Sequence, residues 1–358
     1  MRELTRQDVH DILLGCTVLG TGGGGSLDAG LALVDRAFGA GKTFRMAALN
    51  EIPDDEWIGV PYMCGALTAE GGENPLQRLK PLEESAPLLA FQAMEAYIGK
   101  RFYGVMSTEL GGGNTAESLY AAAMLNRVIV DADPAGRAVP ELQHSTFYLF
   151  DMPIDPLAVA DAYGDTVIIS RCVDDRRAED LVRALAVASN NSVGVVDHPA
   201  TASDMRGKVI DGAISGALKI GRTLRIARES GKDAADAIAA AAGGKVLFRG
   251  VVQAFEWESK EGFTFGTTTI QNGADQYRIW FKNENIISWL NGVIHVTVPD
   301  LICILDGDAK PVQNPFVSEG MSVTVLALPA PEVWTGKRGL EVFGPRHFGC
   351  DVEYRPII

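Results

Sequence analysis

Residues 103–149, YGVMSTELGGGNTAESLYAAAMLNRVIVDADPAGRAVPELQHSTFYL, read as strand, glycine loop, helix, strand and acidic loop. Tyr103 to Ser107 is an apolar run of strand length, and Thr115 to Asn126 sets Leu119, Met124 and Leu125 among helix-favouring alanines. Val128 to Val130 is the next strand. The two strands of a βαβ unit run parallel, so Glu109 with its GGGN turn, and Asp131 with Asp133, emerge at one carboxyl edge, where open α/β sheets take their ligands. Arg137 follows six residues after Asp131, and Asn114 or Thr115 is placed to cap the helix. These groups define the expected active-site crevice. Their structural alternative is ordinary capping and turn chemistry.

Working outward, 358 residues with 47% hydrophobic content supply material for about two domains. The 46 acidic and 32 basic side chains leave a net charge of −14, a field that repels nucleic acid and anionic membrane surfaces. Cys16, Cys64, Cys172, Cys303 and Cys350 are scattered and form no CxxC pair, which argues against a disulfide framework or a thiolate zinc site. The first twenty residues mix charge into their apolar positions, and no uncharged run of about 18 apolar residues occurs. A cytoplasmic location is expected.

The first helix opens with Thr5 and Asp8 as a capping signal and carries Val9, Ile12, Leu13, Cys16 and Leu19 on one face. It runs into GTGGGGS, Gly20 to Ser26. Gly20, Gly22 and Gly25 spell GxGxxG, but a dinucleotide fingerprint follows a strand and this one follows a helix, so no nucleotide cofactor is expected. Gly22, Gly23, Gly24 and Gly25 offer bare backbone that approaches a ligand closely, as do Gly112, Gly113 and Asn114 in the second loop. Short strands are expected at Phe44–Ala48 and Trp57–Met63, a loop with Glu70 and Glu73 at Cys64–Pro75, and a helix at Glu84–Tyr97. Ser145–Phe150 is β-favouring, Val167–Ser170 and Val193–Val196 read as strands, and Asp180–Ser189 as a helix.

Asp204 to Ala242 is the longest helical stretch, with a break expected at Ser230-Gly231. From Lys245 onward, β-branched and aromatic runs recur at strand length between Gly, Asn and Asp turns. The division is therefore 1–243 as an αβα domain and 244–358 as a β-rich, barrel-like domain, whose end can return to the first. Asn291-Gly292 should turn a hairpin that pairs Ile286–Leu290 with Val293–Val298.

Seven collinear blocks, LGTGGGGS, STELGGGN, VDADPAGRAVPELQ, FKNENIISW, VTVPDLICILD, VLALPAPEVW and FGPRHFGCDVEY, resemble the S-methyl thiohydantoin desulfurase (S-Me-THD) family, catalogued earlier as DUF917. The resemblance implies a three-layer αβα sandwich joined to a small β-barrel domain. Its implied chemistry is hydrolysis of a hydantoin-like ring, with a thiol expelled from a thioimidate carbon. That reaction needs a base for water, stabilisation of developing charge and a proton for the leaving group. Glu109, Asp131, Asp133 and Glu141 are the expected acids and bases, while Arg137 and the glycine loops bind the substrate, a small cyclic molecule. One divalent metal ion held by loop carboxylates would activate water equally well, although no spaced histidine cluster is visible. The alternative is a non-catalytic ligand-binding or partner subunit of a hydantoinase-type system. Neither reading excludes a homo-oligomer.

Overall fold

The βαβ unit forms as its periodicity dictates: β4 (Gly104–Met106) and β5 (Val128–Val130) pair in parallel around the crossover helix α4 (Asn114–Leu125). The computed structural model of the chain describes residues 1–65, 76, 78–260 and 262–357. Glu70 and Glu73 lie outside the described residues.

Around this unit stand β1 (Arg2–Leu4), β2 (Phe44–Ala47), β3 (Trp57–Gly65), β7 (Leu157–Ala160), β8 (Thr166–Ile169) and β9 (Ser192–Thr201). The eight-stranded order is β1-β2-β5-β4-β3-β9-β7-β8. Its centre is parallel and its flanks antiparallel. β6 (Ala132–Asp133) leaves the sheet to pair with β10 (Ile210–Asp211).

Alternation along the strands divides the core into two layers. Ile129 and Val196 face α1 (Arg6–Leu19), α2 (Leu27–Gly39), α3 (Ala86–Ile98), α4 and α8 (Ala213–Glu229). Val128 and Val130 face α5 (Thr146–Leu149) and α7 (Ala202–Met205), and Val193 and Val195 face α6 (Asp175–Ala188). This is a three-layer αβα sandwich. α1 and α8 cross backbone to backbone: a Cβ on Gly15 would stand 1.9 Å from the Ala217 carbonyl oxygen, and one on Gly221 1.8 Å from that of Asp11. Beside the crossing, buried Asp11 takes a two-pronged pair from Arg225 at 2.8 and 3.0 Å.

The stretch expected to be helical from Asp204 is not so at its start, since α7 ends at Met205 and β10 intervenes before α8, but it does break at Ser230-Gly231, where α8 gives way to α9 (Ala234–Ala242), and Gly243 ends α9 in the left-handed conformation. The second sheet comprises β11 (Lys245–Lys260), β12 (Phe263–Asn272), β13 (Asp275–Lys282), β14 (Glu284–Leu290), β15 (Val293–Thr297), β16 (Leu301–Asp306) and β17 (Ser322–Leu328). Antiparallel throughout, it runs β15-β14-β13-β12-β11-β17-β16 and curls into a half-barrel until β14 meets β16. Asn291 and Gly292, both at positive φ (51° and 82°), make the expected β14–β15 hairpin.

Two further local expectations give way. Ser145–Phe150 is not a strand: Ser145 caps α5 through the Tyr148 N–H at 3.2 Å, which directs Phe147 into the core. The chain end is not β either. α10 (Glu332–Thr335), α11 (Lys337–Phe343) and a 3₁₀ turn at Pro345–Phe348 return to the first domain. There buried Trp334 donates its indole N–H to the Ala135 carbonyl at 2.9 Å.

Candidate functional site

The two glycine loops interlock. Gly113 and Asn114 donate their N–H groups to the Gly24 carbonyl at 2.9 and 3.1 Å, so a backbone oxygen from the first loop does the work expected of an α4 cap. Asn114 is freed to accept from the Met63 N–H at 3.1 Å, and Thr115 Oγ1 accepts from Gly111 N–H at 3.2 Å. These first-turn donors are therefore occupied. Much of the glycine content follows from the same contact: a Cβ on Gly24 (φ +79°) would lie 2.5 Å from Gly111 Cα, and one on Gly23 would lie 1.7 Å from Glu284 Oε1.

The second sheet holds the first loop from the other side. Asn285 N–H donates to the Thr21 carbonyl and Asn314 N–H to that of Gly22, each at 2.8 Å. Arg137 is fully buried and stands behind the loop, donating to Thr21 Oγ1 at 2.8 Å and to the Pro299 carbonyl at 3.1 Å. Burial pulls its guanidinium down to about 10, against the opposing charge of Glu284, which leaves it a cation at neutral pH.

Between the interlocked loops, β3, the 139–142 segment and the second sheet lies a cavity of about 510 Å³. Gly22 to Gly25, Gly113 and Asn114 line it, together with Glu109, Glu117, Glu141, Glu179, Glu284 and Arg183. Two of its lining positions are non-glycine residues in the left-handed region, Glu109 (φ 58°) and Asn283 (φ 55°), and a third such residue, Thr21 (φ 51°), adjoins the lining residue Gly22. Such conformations persist only where the surroundings enforce them, and they gather at functional sites.

The carboxyl groups differ sharply in their environments. Burial raises Glu109 well above the usual range, helped by the charges of Glu284 and Glu179. Burial also raises Glu284 from 4.5 to about 8, against the pull of Arg137. Burial acts on Glu141 too, but the hydrogen bond and charge of Lys282 outweigh it and hold that carboxyl low. Glu179 is raised by burial and ion-pairs with Arg183. The buried Cys64 thiol is pushed up by desolvation and then by Glu179, away from the thiolate a nucleophile requires.

One stability prediction follows. The folded Glu284 keeps a proton that the unfolded chain loses above about pH 4.5, so its contribution is present below that value and is lost as pH rises through about 8. Glu284→Gln is expected to gain stability relative to the parent across that window, by at most about 1.4 kcal/mol per pH unit. Urea unfolding at pH 5, 7 and 9 measures it; a difference that does not change with pH would contradict the assignment.

Two further clusters adjoin the cavity. Glu141, His144 and His347 bring one potential ligand atom each within 4.8 Å of the others, and the two imidazole Nε2 atoms are 3.0 Å apart. Behind Tyr62, its hydroxyl donates to Asp197 Oδ2 at 2.6 Å, and Asp197 Oδ1 faces His198 Nδ1 at 3.0 Å. Burial would lower His198, but Asp197 and Asp175 bring it up to about 9.

Residues 7–171 match the N-terminal domain, and residues 173–357 the C-terminal domain, of the S-Me-THD-like family. The chain belongs to that family. The boundary of this S-Me-THD-like pair falls before β9, which completes the first sheet. A similar solved structure is the X-ray crystal structure of a protein from Chromobacterium violaceum, 22% identical over 100% of both chains with a TM-score of 0.79, a likeness of fold. No curated protein gave a significant match.

In this S-Me-THD-like chain the structure brings Glu109, Glu141, Gly113, Asn114 and Gly22 to Gly25 to one cavity wall. It sets the other expected groups outside the lining. Gly112 is closed against Leu27 and Thr17. Asp131 accepts from Ser215 N–H at 2.8 Å, and from its hydroxyl, at the start of α8. Asp133 is fully buried and its Oδ1 accepts from the Ala135 and Gly136 N–H groups, both at 2.7 Å, tying its own turn. Burial raises it to about 7 in spite of those donors. Arg137 braces the loop rather than the wall. Glu284, Asp197 and His198 were missed. Their signal is polar residues inside strand-like runs, the NEN of FKNENIISW and the DH of VVDHP.

Proposed function

We propose that the chain is a hydrolase acting on a small hydantoin-like ring, expelling a thiol from a thioimidate carbon in the manner its family name suggests. The observation that carries this reading is the pair Glu109 and Glu284, two carboxyl groups raised by burial in one cavity, Glu109 further raised by the charge of Glu284. The pair loses its first proton at about pH 8, so above that pH one carboxyl is ionised while the other keeps its proton. It can therefore act as base and acid in one cycle. The oxygen of water bonds to the ring carbon as one of its protons passes to the ionised carboxylate, while the C=N electron pair moves to the ring nitrogen and takes the proton of the other carboxyl. The carbon–sulfur bond then breaks: the first carboxyl gives its proton to the leaving sulfur, and the second recovers the remaining water proton from the hydroxyl that becomes the carbonyl. Water and thioimidate become ring carbonyl and thiol.

The cavity does not suit passive capture of an anion. Among the described residues Arg183 is the one cation lining it, and Glu179 already pairs with that guanidinium. The test is a panel of S-methyl thiohydantoins, thiohydantoins and hydantoins, followed by free-thiol release and by ring-opened product. Release of a thiol or opening of a ring is expected with at least one of them. Folded protein that binds members of the panel and turns over none would favour the ligand-binding alternative.

A further inference from the structure

We propose that Glu141, His144 and His347 form a binding site for one divalent cation of the zinc type, beside the cavity. The proposal stands on their geometry and is independent of ring hydrolysis. The residues are 203 positions apart at the extremes of the pair His144 and His347, yet their Nε2 atoms lie 3.0 Å from each other. Two imidazole nitrogens bound at about 2.0–2.1 Å to one ion at adjacent coordination positions are separated by roughly 3 Å. The observed spacing needs little adjustment to admit the ion.

Both rings are held by their surroundings. His144 is fully buried against Phe343 and Phe348, with ring centroids 4.9 and 5.6 Å away, and its main-chain N–H closes a turn on the Glu141 carbonyl at 3.0 Å. That turn sets Glu141 and His144 side by side. His347 comes from the 3₁₀ turn after α11 and meets the His144 ring edge-on at 85°. Nδ1 of His144 is buried without a hydrogen-bond partner, so the tautomer of this ring is decided at Nε2, the atom that faces His347.

Two imidazoles and one carboxylate, with the remaining positions open, are the donor set of borderline divalent metals; calcium and magnesium prefer oxygen. Glu141 also ion-pairs with Lys282 and accepts from Gln143. A carboxylate has lone pairs to spare for a cation in addition. The Lys282 ammonium, however, competes with any ion for the same negative charge. Removing it should therefore strengthen binding, an effect that no ordinary histidine–histidine hydrogen bond would produce.

The experiment uses the full chain, stripped by dialysis against a chelator and titrated with Zn²⁺ by calorimetry and with Co²⁺ by visible absorption. One equivalent per chain is expected, with the cobalt spectrum showing nitrogen ligation. His347 is half-exposed, so His347→Gln should fold, and it should weaken Zn²⁺ binding at least 100-fold with thermal stability of the metal-free protein unchanged. Lys282→Met should retain the stoichiometry and bind several-fold tighter. Absence of a saturable site in the parent, or equal binding by parent and His347→Gln, would overturn the proposal.

Discussion

Glu109→Gln and Glu284→Gln are each expected to lower turnover by about 10²–10⁴, the usual contribution of a positioned acid or base. Glutamine keeps the size and hydrogen-bonding reach of the side chain but can neither take nor hold the proton. The substitution at 109 preserves a residue able to adopt the left-handed backbone as readily as glutamate does, and the substitution at 284 keeps the contact that fills the space above Gly23. Because the two carboxyls act as a unit, the double variant should be little worse than the worse single one. The measurement is kcat on whichever ring the substrate panel identifies, with folding checked by circular dichroism. If both single variants retain near-parental kcat, the acid–base pair is not the catalytic device.

The second large effect is on stability. Gly15→Ala and Gly221→Ala are expected to destabilise the fold by roughly 3 kcal/mol or more, at or beyond the upper end of overpacking, because the atoms met are main-chain carbonyls that cannot swing aside. Gly216→Ala lies on the same α8, exposed, with nothing within 4 Å of the added methyl. It should stabilise by about 0.5–1 kcal/mol through helix propensity alone. Opposite signs from the same chemical change would locate the seam between α1 and α8. Should Gly15→Ala and Gly216→Ala melt alike, the crossing is looser than described.

These effects also show what could be read from the chain and what could not. The 103–149 unit was legible because its period switches from strand to helix and back within one segment, and the Ser230-Gly231 break because local chemistry suffices to end a helix. The glycine loops were legible as places of close approach, but their partners were not. Gly24 meets Gly111, a relation between loops that no spacing encodes. Ser145–Phe150 was misread because its aromatics favour strands, whereas one serine cap and the burial of Phe147 decided for a helical turn. Glu284 hid inside a strand pattern and His347 inside a polar turn near the end of the sequence. Each acquires its role only from residues more than a hundred positions away.

The return of α10 and α11 to the 134–149 segment bears on how the protein comes into being. Glu109 and Glu141 leave the ribosome early, whereas Glu284 follows 143 residues after Glu141 and His347 a further 63. Domains tend to fold as they emerge, so the first sheet can be complete while the cavity still lacks a wall and Trp334 has yet to reach Ala135. A nascent chain stalled in that interval would carry a finished scaffold with its acidic groups still hydrated. The unusual proton affinities of this protein thus arise late, when Glu284 and the turns beyond it close over carboxylates made long before.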